Sequence, residues 1–305
     1  SGYAYTKEFE GVIPRLMRKM YEDRKAYKKE MIKDQQEGRD STLNNLKQYV
    51  MKILLNSGYG GLTNKYYRWF DQRLGESITL SGQMMIRTSE QAINKWMNHV
   101  LKTDNVDYII AIDTDSNYVN MQPLVDKFFP DKTKDELVDI IDKICDEQIT
   151  KAIEEGYREV NEYMHSTNKM VMEREAIATS AIWTAKKRYA MCVWDMERVR
   201  FKDKPKIKIQ GLEAIRSSTP AQCREPLLEI IRLALVSTEQ ETQDYIAAFK
   251  ERFNSLPVEE VAFPRTMNNV TKMTQAEGFR KGTPPHIRGA IVFNRFIKKY
   301  SIDKD

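Results

Sequence analysis

The sequence has 305 residues, 30% of them charged, with a net charge of +5 and a pI near 8.8. That length can bury a sizeable core as one large domain or two smaller ones, and the mildly basic balance admits a polyanionic partner without requiring one. Cys145, Cys192 and Cys223 are far apart and near no histidine, which argues against a zinc site or a disulfide framework, and no apolar run reaches the length of a membrane span. No signal peptide is read at Ser1-Gly2, and a reducing cytoplasm is the expected compartment.

In chain order, residues 14–37 read as a charged helix opened by Pro14 and closed by Gly38-Arg39-Asp40. Ser41-Thr42 can cap a second helix running to about Tyr59, so a short connection makes an antiparallel helical hairpin. Arg24 and Lys28 stand i,i+4 on the first helix, and Lys52 and Asn56 on the second. Two readings fit: two solvated lysine-rich helices, or an anion site where Arg24, Lys28 and Lys52 converge on a triphosphate with Asn56 adding a hydrogen bond. Gly60 would then let backbone lie close to a flat ligand such as a base pair.

The aromatic stretch Tyr66-Tyr67-Arg68-Trp69-Phe70 reads as core. A long helix follows from Ser77 to Leu101, with Ile78, Met84, Met85, Ala92, Trp96 and Val100 expected inside. Next, Tyr108-Ile-Ile-Ala-Ile-Asp113-Thr114-Asp115-Ser116-Asn-Tyr-Val119 runs apolar residues into an acidic corner and out again, the pattern of a β-hairpin with two carboxylates at its tip. Such oxygens suit Mg²⁺, which takes one or two carboxylates plus substrate phosphates, although Asp and Ser are also ordinary turn residues. A second long amphipathic helix is expected from Thr133, capped by a Thr133/Glu136 box, to Met164. Its expected core positions are Leu137, Ile140, Ile141, Ile144, Ile149 and Ile153. Val171–Ile177 reads as a strand with Glu173 and Glu175 on one face, either a third acidic group for the Asp113/Asp115 turn or part of a salt-bridged surface. The alternation of strands and helices predicts an α+β fold with helices packed on an antiparallel sheet.

Residues 181–224 carry 11 Lys/Arg against 4 Asp/Glu, interleaved with the apolar runs 190–194 and 207–209. Lys186-Lys187-Arg188-Tyr189 leads this basic ribbon, which Arg198, Arg200, Lys202, Lys204, Lys206, Lys208, Arg216 and Arg224 continue. One-sided clustering of this kind is the footprint of a nucleic-acid backbone, and an edge blunted by lysines is the plainer reading. Helices then begin after Thr219-Pro220 and at Glu239, with Pro226 in the first turn or kinking the helix, and His286 reads as structural.

Taken in order, these pieces resemble the family B DNA polymerases, the replicative enzymes of T-even-like phages above all. Lys52-Ile-Leu-Leu-Asn56-Ser57-Gly-Tyr59-Gly60 resembles the fingers motif, and Asp113-Thr-Asp115-Ser the palm motif. Met172-Glu-Arg-Glu175 resembles a palm strand, and Lys186-Lys187-Arg188-Tyr189 the element that grips primer–template. Lys208-Ile-Gln-Gly211-Leu-Glu213, Ser217-Ser-Thr-Pro220 and His286-Ile-Arg-Gly289 resemble late-palm and thumb signatures. The resemblance implies fingers over 1–62, a partial palm over 63–212 and a partial, largely helical thumb over 213–305. It implies that Asp115, Asp113 and Glu175 serve the metal site and that Arg24, Lys28, Lys52 and Asn56 hold a dNTP. Tyr59 and Gly60 would check the nascent base pair, and Lys186, Lys187, Arg188, Tyr189 and Lys208 would hold DNA. The implied chemistry is attack of a primer 3′-hydroxyl on the α-phosphate with two Mg²⁺ ions about 3.5–4 Å apart.

The family's upstream Asp-x-x-Ser-Leu-Tyr-Pro-Ser motif and its exonuclease domain have no counterpart in the sequence. The fingers hairpin is short, Ile112 stands where relatives often carry Gly, and Gly58 stands where a larger apolar residue is usual. The expectation is therefore the C-terminal portion of a split polymerase, acting in the cytoplasm of a phage-infected bacterium and inactive alone. Its partner would be an N-terminal fragment carrying the exonuclease and the missing palm Asp, and a sliding clamp is a further candidate. The alternative is a catalytically silent DNA-binding accessory subunit.

Overall fold

The computed structural model describes residues 2–6, 8–201 and 205–301. Helices and two small antiparallel sheets give an α+β fold, as the alternation of periods predicts. The chain divides into two compact units, Ser1–Ser180 with Met191–Lys208, and Ala181–Ala190 with Ile209–Asp305. Among the described residues no helix is long and apolar enough to cross a membrane.

The first unit opens with the helical hairpin α1 (Val12–Gln36) and α2 (Thr42–Leu62). Pro14 lies inside the first turn of α1 rather than at its start, where its missing N–H costs nothing. The expected Ser41 cap is not made. Asp40 supplies it instead, accepting from the Thr42 N–H at 2.9 Å and the Thr42 hydroxyl at 2.6 Å. The connection is closed by Asp34, which accepts from Arg39 Nε at 3.0 Å and Asn44 Nδ2 at 2.8 Å. Those bonds hold its carboxyl below the usual range. The α2 helix continues past Tyr59 through Gly60 and Gly61 to Leu62, and a side chain at Gly58 would meet Met17 Sδ at 2.7 Å, so the Met17 side chain would have to shift.

The aromatic stretch expected in the core is exposed. Residues 63–71 form a short turn-rich connection between helices, too brief to reach inward. Its rings make only local contacts: Tyr67 meets Trp69 edge-on at 5.5 Å, and Arg68 lies 5.9 Å from the Trp69 ring.

Next, α3 (Gln72–Leu101) starts five residues earlier than its hydrophobic pattern suggests, capped by Asp71. Its buried stripe is Met85, Ser89, Ile93, Met97 and Leu101, whereas Ile78 and Met84 are exposed. A serine in the stripe hides it from a hydrophobicity pattern. Ser89 is fully buried, donating to the Ile86 carbonyl at 2.8 Å and accepting from Asn117 Nδ2 at 2.7 Å. Strands β1 (Ile109–Asp113) and β2 (Ser116–Val119) form the first sheet, followed by α4 (Gln122–Phe128). The second long helix is α5 (Lys134–Ile144), a π-helical turn at Cys145–Ile149 and α6 (Thr150–Tyr163), with the Thr133/Glu136 capping box in place. Met97, Leu124, Ile149, Ile153 and Tyr157 pack with the α3 stripe into the core behind the β1–β2 hairpin.

The expected strand over 171–177 begins only at Ala176. Strands β3 (Ala176–Ala185), β4 (Arg188–Met196) and β5 (Val199–Arg200) pair in order, and β6 (Lys206–Gln210) pairs with β4. Residues 171–175 form no strand; the Glu175 carbonyl accepts from the Glu197 N–H at 2.7 Å, and Arg174 turns inward to two carboxylates. In the second unit a 3-10 turn at Glu213–Ile215 leads to α7 (Ala221–Val236), with Pro226 inside it, and α8 (Glu239–Asn254), capped by a Thr238/Glu241 box. The short α9 (Val258–Val261) and α10 (Val270–Met273) precede α11 (Pro285–Tyr300).

Candidate active site

The acidic hairpin is held from behind by two asparagines of α3. Asn94 accepts from the Tyr108 N–H at 2.8 Å, and Asn98 accepts from the Val106 N–H at 2.9 Å while donating to the Val106 carbonyl at 2.7 Å. Tyr108 is buried, and its hydroxyl meets Thr103 Oγ1 at 2.9 Å. From this anchored base the strands pair Ala111 with Tyr118, Ile112 with Asn117 and Asp113 with Ser116. The tip is tight: the Asp115 N–H donates to the Asp113 carbonyl at 2.6 Å around Thr114, whose φ is +57°. A β-branched residue is rarely found there, and a hydrogen bond spanning one residue marks a strained γ-type turn. The Thr114 hydroxyl donates to Asp113 Oδ1 at 3.0 Å, and Ser116 Oγ donates to the Asp113 carbonyl at 3.1 Å. Asp115 is exposed and Asp113 half-buried, so a rigid corner offers two hard oxygen donors of the kind Mg²⁺ takes.

Glu175 does not join them. Among the described residues no group of three or more His, Cys, Asp or Glu could share a metal ion. The Glu175 carboxylate instead accepts from Lys208 Nζ at 2.9 Å. The strand begins only at Ala176, so no strand face carries Glu173 and Glu175 together, and the ion pair occupies Lys208, one of the expected DNA-binding lysines.

On the helical hairpin, the approaches of Met17 to Gly58, Tyr27 to Lys47 and Asp34 to Asn44 fix an antiparallel register. That register puts Arg24 level with the Met51–Lys52 turn. Arg24 Nε is buried without a hydrogen-bond partner, whereas Lys52, Asn56 and Tyr59 are exposed on α2. Lys28, one turn along from Arg24, is drawn away to Glu197 at 2.7 Å.

Most of the basic ribbon is spent internally, because the sequence supplies it with acidic partners at long range. Arg198 pairs with Asp142 at 3.6 Å and with Asp146; Arg200 pairs with Asp139 at 2.7 Å and Asp195 at 3.7 Å. Arg188 pairs with Glu213, Arg216 donates to the Gly211 carbonyl at 3.1 Å, and Arg224 to the Thr219 carbonyl at 3.0 Å. Tyr189 is buried against Trp183, with ring centroids 5.9 Å apart. Lys186 and Lys187 remain exposed at the β3–β4 turn, and Lys202 and Lys204 lie outside the described residues.

Sequence reasoning missed the charge network at the base of β4. Arg174, with only 6% of its side chain exposed, bridges Asp142 at 2.6 Å and Asp195, itself 4% exposed. Burial pulls the guanidinium pKa down, and the bonds from the two carboxylates overcome that pull and raise it. The signal in the sequence is the spacing of Asp135, Asp139, Asp142 and Asp146 on one helical stripe, which reads as a solvated face until its arginines are located.

Comparison with known proteins gives matches along most of the chain. Residues 2–290 match the profile of DNA polymerase family B. The DNA-directed DNA polymerase of Escherichia phage RB69 is 37% identical over 82% of this chain and 29% of its own length. That of Enterobacteria phage T4 is 31% identical over 97% of this chain and 40% of its own. A DNA polymerase of Thermococcus gorgonarius is 24% identical over 94% of this chain and 31% of its own. The chain thus spans less than half the length of these relatives. An acidic β-hairpin set on a long helix, a cationic helical hairpin before it and a lysine-tipped strand turn after it occur in a chain that belongs to DNA polymerase family B.

Proposed function

We propose that the chain supplies the fingers (1–62), part of the palm (63–212) and part of the thumb (213–305) of a DNA-directed DNA polymerase. The observation that carries this reading is the strained Asp113-Thr114-Asp115 corner, braced by Asn94 and Asn98, within a chain of this family.

The donor set of Asp113 and Asp115 fits Mg²⁺. When bound, the ions would lower the charge on the triphosphate and favour the attacking and leaving oxygens of an in-line displacement. The chain's own residues position and neutralise. Asp115, exposed at the tip, and Asp113, locked by Thr114 and Ser116, would hold the metals beside the primer terminus. Lys52 and Arg24 would meet the incoming dNTP, with Lys28 joining once it exchanges Glu197 for phosphate and Asn56 adding a hydrogen bond. Tyr59 and Gly60 would face the nascent base pair, and Lys186 and Lys187 would take duplex phosphates. Arg188 and Tyr189 act in this reading by shaping that grip, and Lys208 would reach DNA once it exchanges Glu175 for phosphate. Glu175 supports the site only if Lys208 releases it.

Two carboxylates make an incomplete two-metal site. The reading therefore places a further Asp on a partner polypeptide, an N-terminal polymerase fragment, and predicts little extension by this chain alone. The test is D115N in the assembled enzyme. Loss of extension with primer–template binding retained supports a catalytic chain, whereas undiminished extension shows a non-catalytic DNA-binding subunit.

A further inference from the structure

The turn that carries Lys186 and Lys187 is built against one backbone position 24 residues further on. Lys187 itself is left-handed, with φ +61°, and it faces Gly211, with φ +66°. A Cβ on Gly211 would lie 2.2 Å from the Lys187 carbonyl oxygen and 3.3 Å from its carbonyl carbon. The obstacle is main chain, which cannot swing aside as a side chain can. Next to this close approach, both carboxylate oxygens of Glu213 accept from Arg188 Nη2, at the residue where the turn becomes β4. Arg216 fixes the Gly211 carbonyl at 3.1 Å, and Thr219 Oγ1 donates to the Glu213 carbonyl at 2.7 Å. On the other strand the Thr184 hydroxyl donates to the Arg188 carbonyl at 3.3 Å, and Trp183 stacks on Tyr189. The inner side of the turn is thus tied down, and its outward face exposes the two lysine side chains.

We infer that Gly211 and Glu213 are positioning residues for nucleic-acid binding: they fix the β3–β4 turn so that Lys186 and Lys187 are presented together to adjacent phosphates of a DNA backbone. The inference rests on the reading of that turn as a DNA grip. Its physical content is preorganisation. Two flexible lysines on a loose turn still attract a polyanion, but each phosphate they meet then costs more ordering. Glu213 would add nothing to DNA by itself, since its carboxylate is repelled by phosphate. It helps only by holding Arg188 and so the turn.

The test is a double-mutant cycle on the 305-residue chain, reading primer–template duplex affinity by fluorescence anisotropy at several salt concentrations. Replacing both lysines (K186A/K187A) is expected to weaken binding and to lower the slope of log K against log salt by about 0.9 for each phosphate no longer neutralised. Gly211→Ala and, separately, the near-isosteric Glu213→Gln are each expected to weaken binding by roughly fivefold and to reduce the slope by about the equivalent of one phosphate. In the lysine-less background each should change affinity by less than about twofold, because their effect passes through the lysines. Equal losses of affinity in both backgrounds would make their role general stability and overturn the inference, and so would no loss in either. If K186A/K187A alone leaves affinity and slope unchanged, the reading of the turn as a DNA grip falls, and the inference falls with it. Glu213→Gln keeps the test decisive should Gly211→Ala fail to fold.

Discussion

Replacing Arg174 by methionine removes a charge that two carboxylates were built around while keeping most of its apolar length. In the structure its Nε donates to Asp142 at 2.8 Å and its Nη2 to the same oxygen at 2.6 Å, and Nη1 reaches Asp195. Asp142 is one-quarter exposed and can recover water, but Asp195 is 4% exposed and cannot. Its remaining partners would be Arg200 Nε at 3.7 Å and the Arg198 backbone N–H at 3.1 Å. Breaking a buried pair from one side costs about 3–5 kcal/mol, and the residual partners point to the low end, about 3 kcal/mol. For a body of this size that is a fall in Tm of about 6–12 °C. Circular dichroism melts and urea midpoints of R174M would measure it. Adding D195N to R174M should restore about 1 kcal/mol or more by removing the orphaned charge, and R174K, which keeps charge but loses the planar fork, should fall between. A variant R174M within about 0.5 kcal/mol of the parent would refute the network as a structural element, since that is the spread of ordinary surface changes.

Three further outcomes follow from the same structure. The Glu136 carboxyl is lowered from 4.5 to about 2, first by Lys132 and then by the Thr133 N–H and hydroxyl. Its contribution is therefore full above pH 4.5 and is lost as pH falls toward 2. Protection of the amides at the start of α5, corrected for the pH dependence of intrinsic exchange, should fall over that window in the parent and not in E136Q. Burial first, and then Asp142 and Asp146, push the Cys145 thiol up to about 11. Its thiolate fraction at pH 8 should be roughly a hundredfold below that of an ordinary thiol, so iodoacetamide labelling followed by mass spectrometry should find it nearly inert in the folded chain. Met97 is fully buried where α3 meets the core, and M97A should cost about 2–5 kcal/mol in chemical denaturation.

What the sequence makes legible divides from what it hides along a physical line. Local features are legible: the helical hairpin, the Thr133/Glu136 box, the acidic hairpin and the starts of α7 and α8 each depend on residues within a few positions of one another. Features that depend on distant partners are not. Arg174 meets Asp142 and Asp195, 32 and 21 residues away, Arg198 meets Asp146, 52 away, and Arg200 meets Asp139, 61 away, so two arginines of a basic run that looks like a nucleic-acid face are paired with a helix earlier in the chain. Ser89 breaks the apolar stripe of α3, and its burial is satisfied only by Asn117 from the hairpin and the helix backbone. The stretch 66–70 misleads because ring content suggests burial, whereas a connection that short between two helices has nowhere to bury it. Of the candidate site, the carboxylate pair and the two exposed lysines are visible as motifs. The Asn94 and Asn98 braces, and the diversion of Lys28, Glu175 and Lys208 into ion pairs, require the fold.

The most direct measurement is primer extension with Mg²⁺ and dNTPs, run with this chain alone and then with a polypeptide carrying the preceding part of a family B polymerase. Template-directed extension in the mixture, absent from the chain alone and abolished by D115N, is the expected result. Extension by the chain alone would contradict the incomplete metal site, and failure of the mixture to extend while still binding duplex tightly would contradict the catalytic role of the Asp113–Asp115 corner.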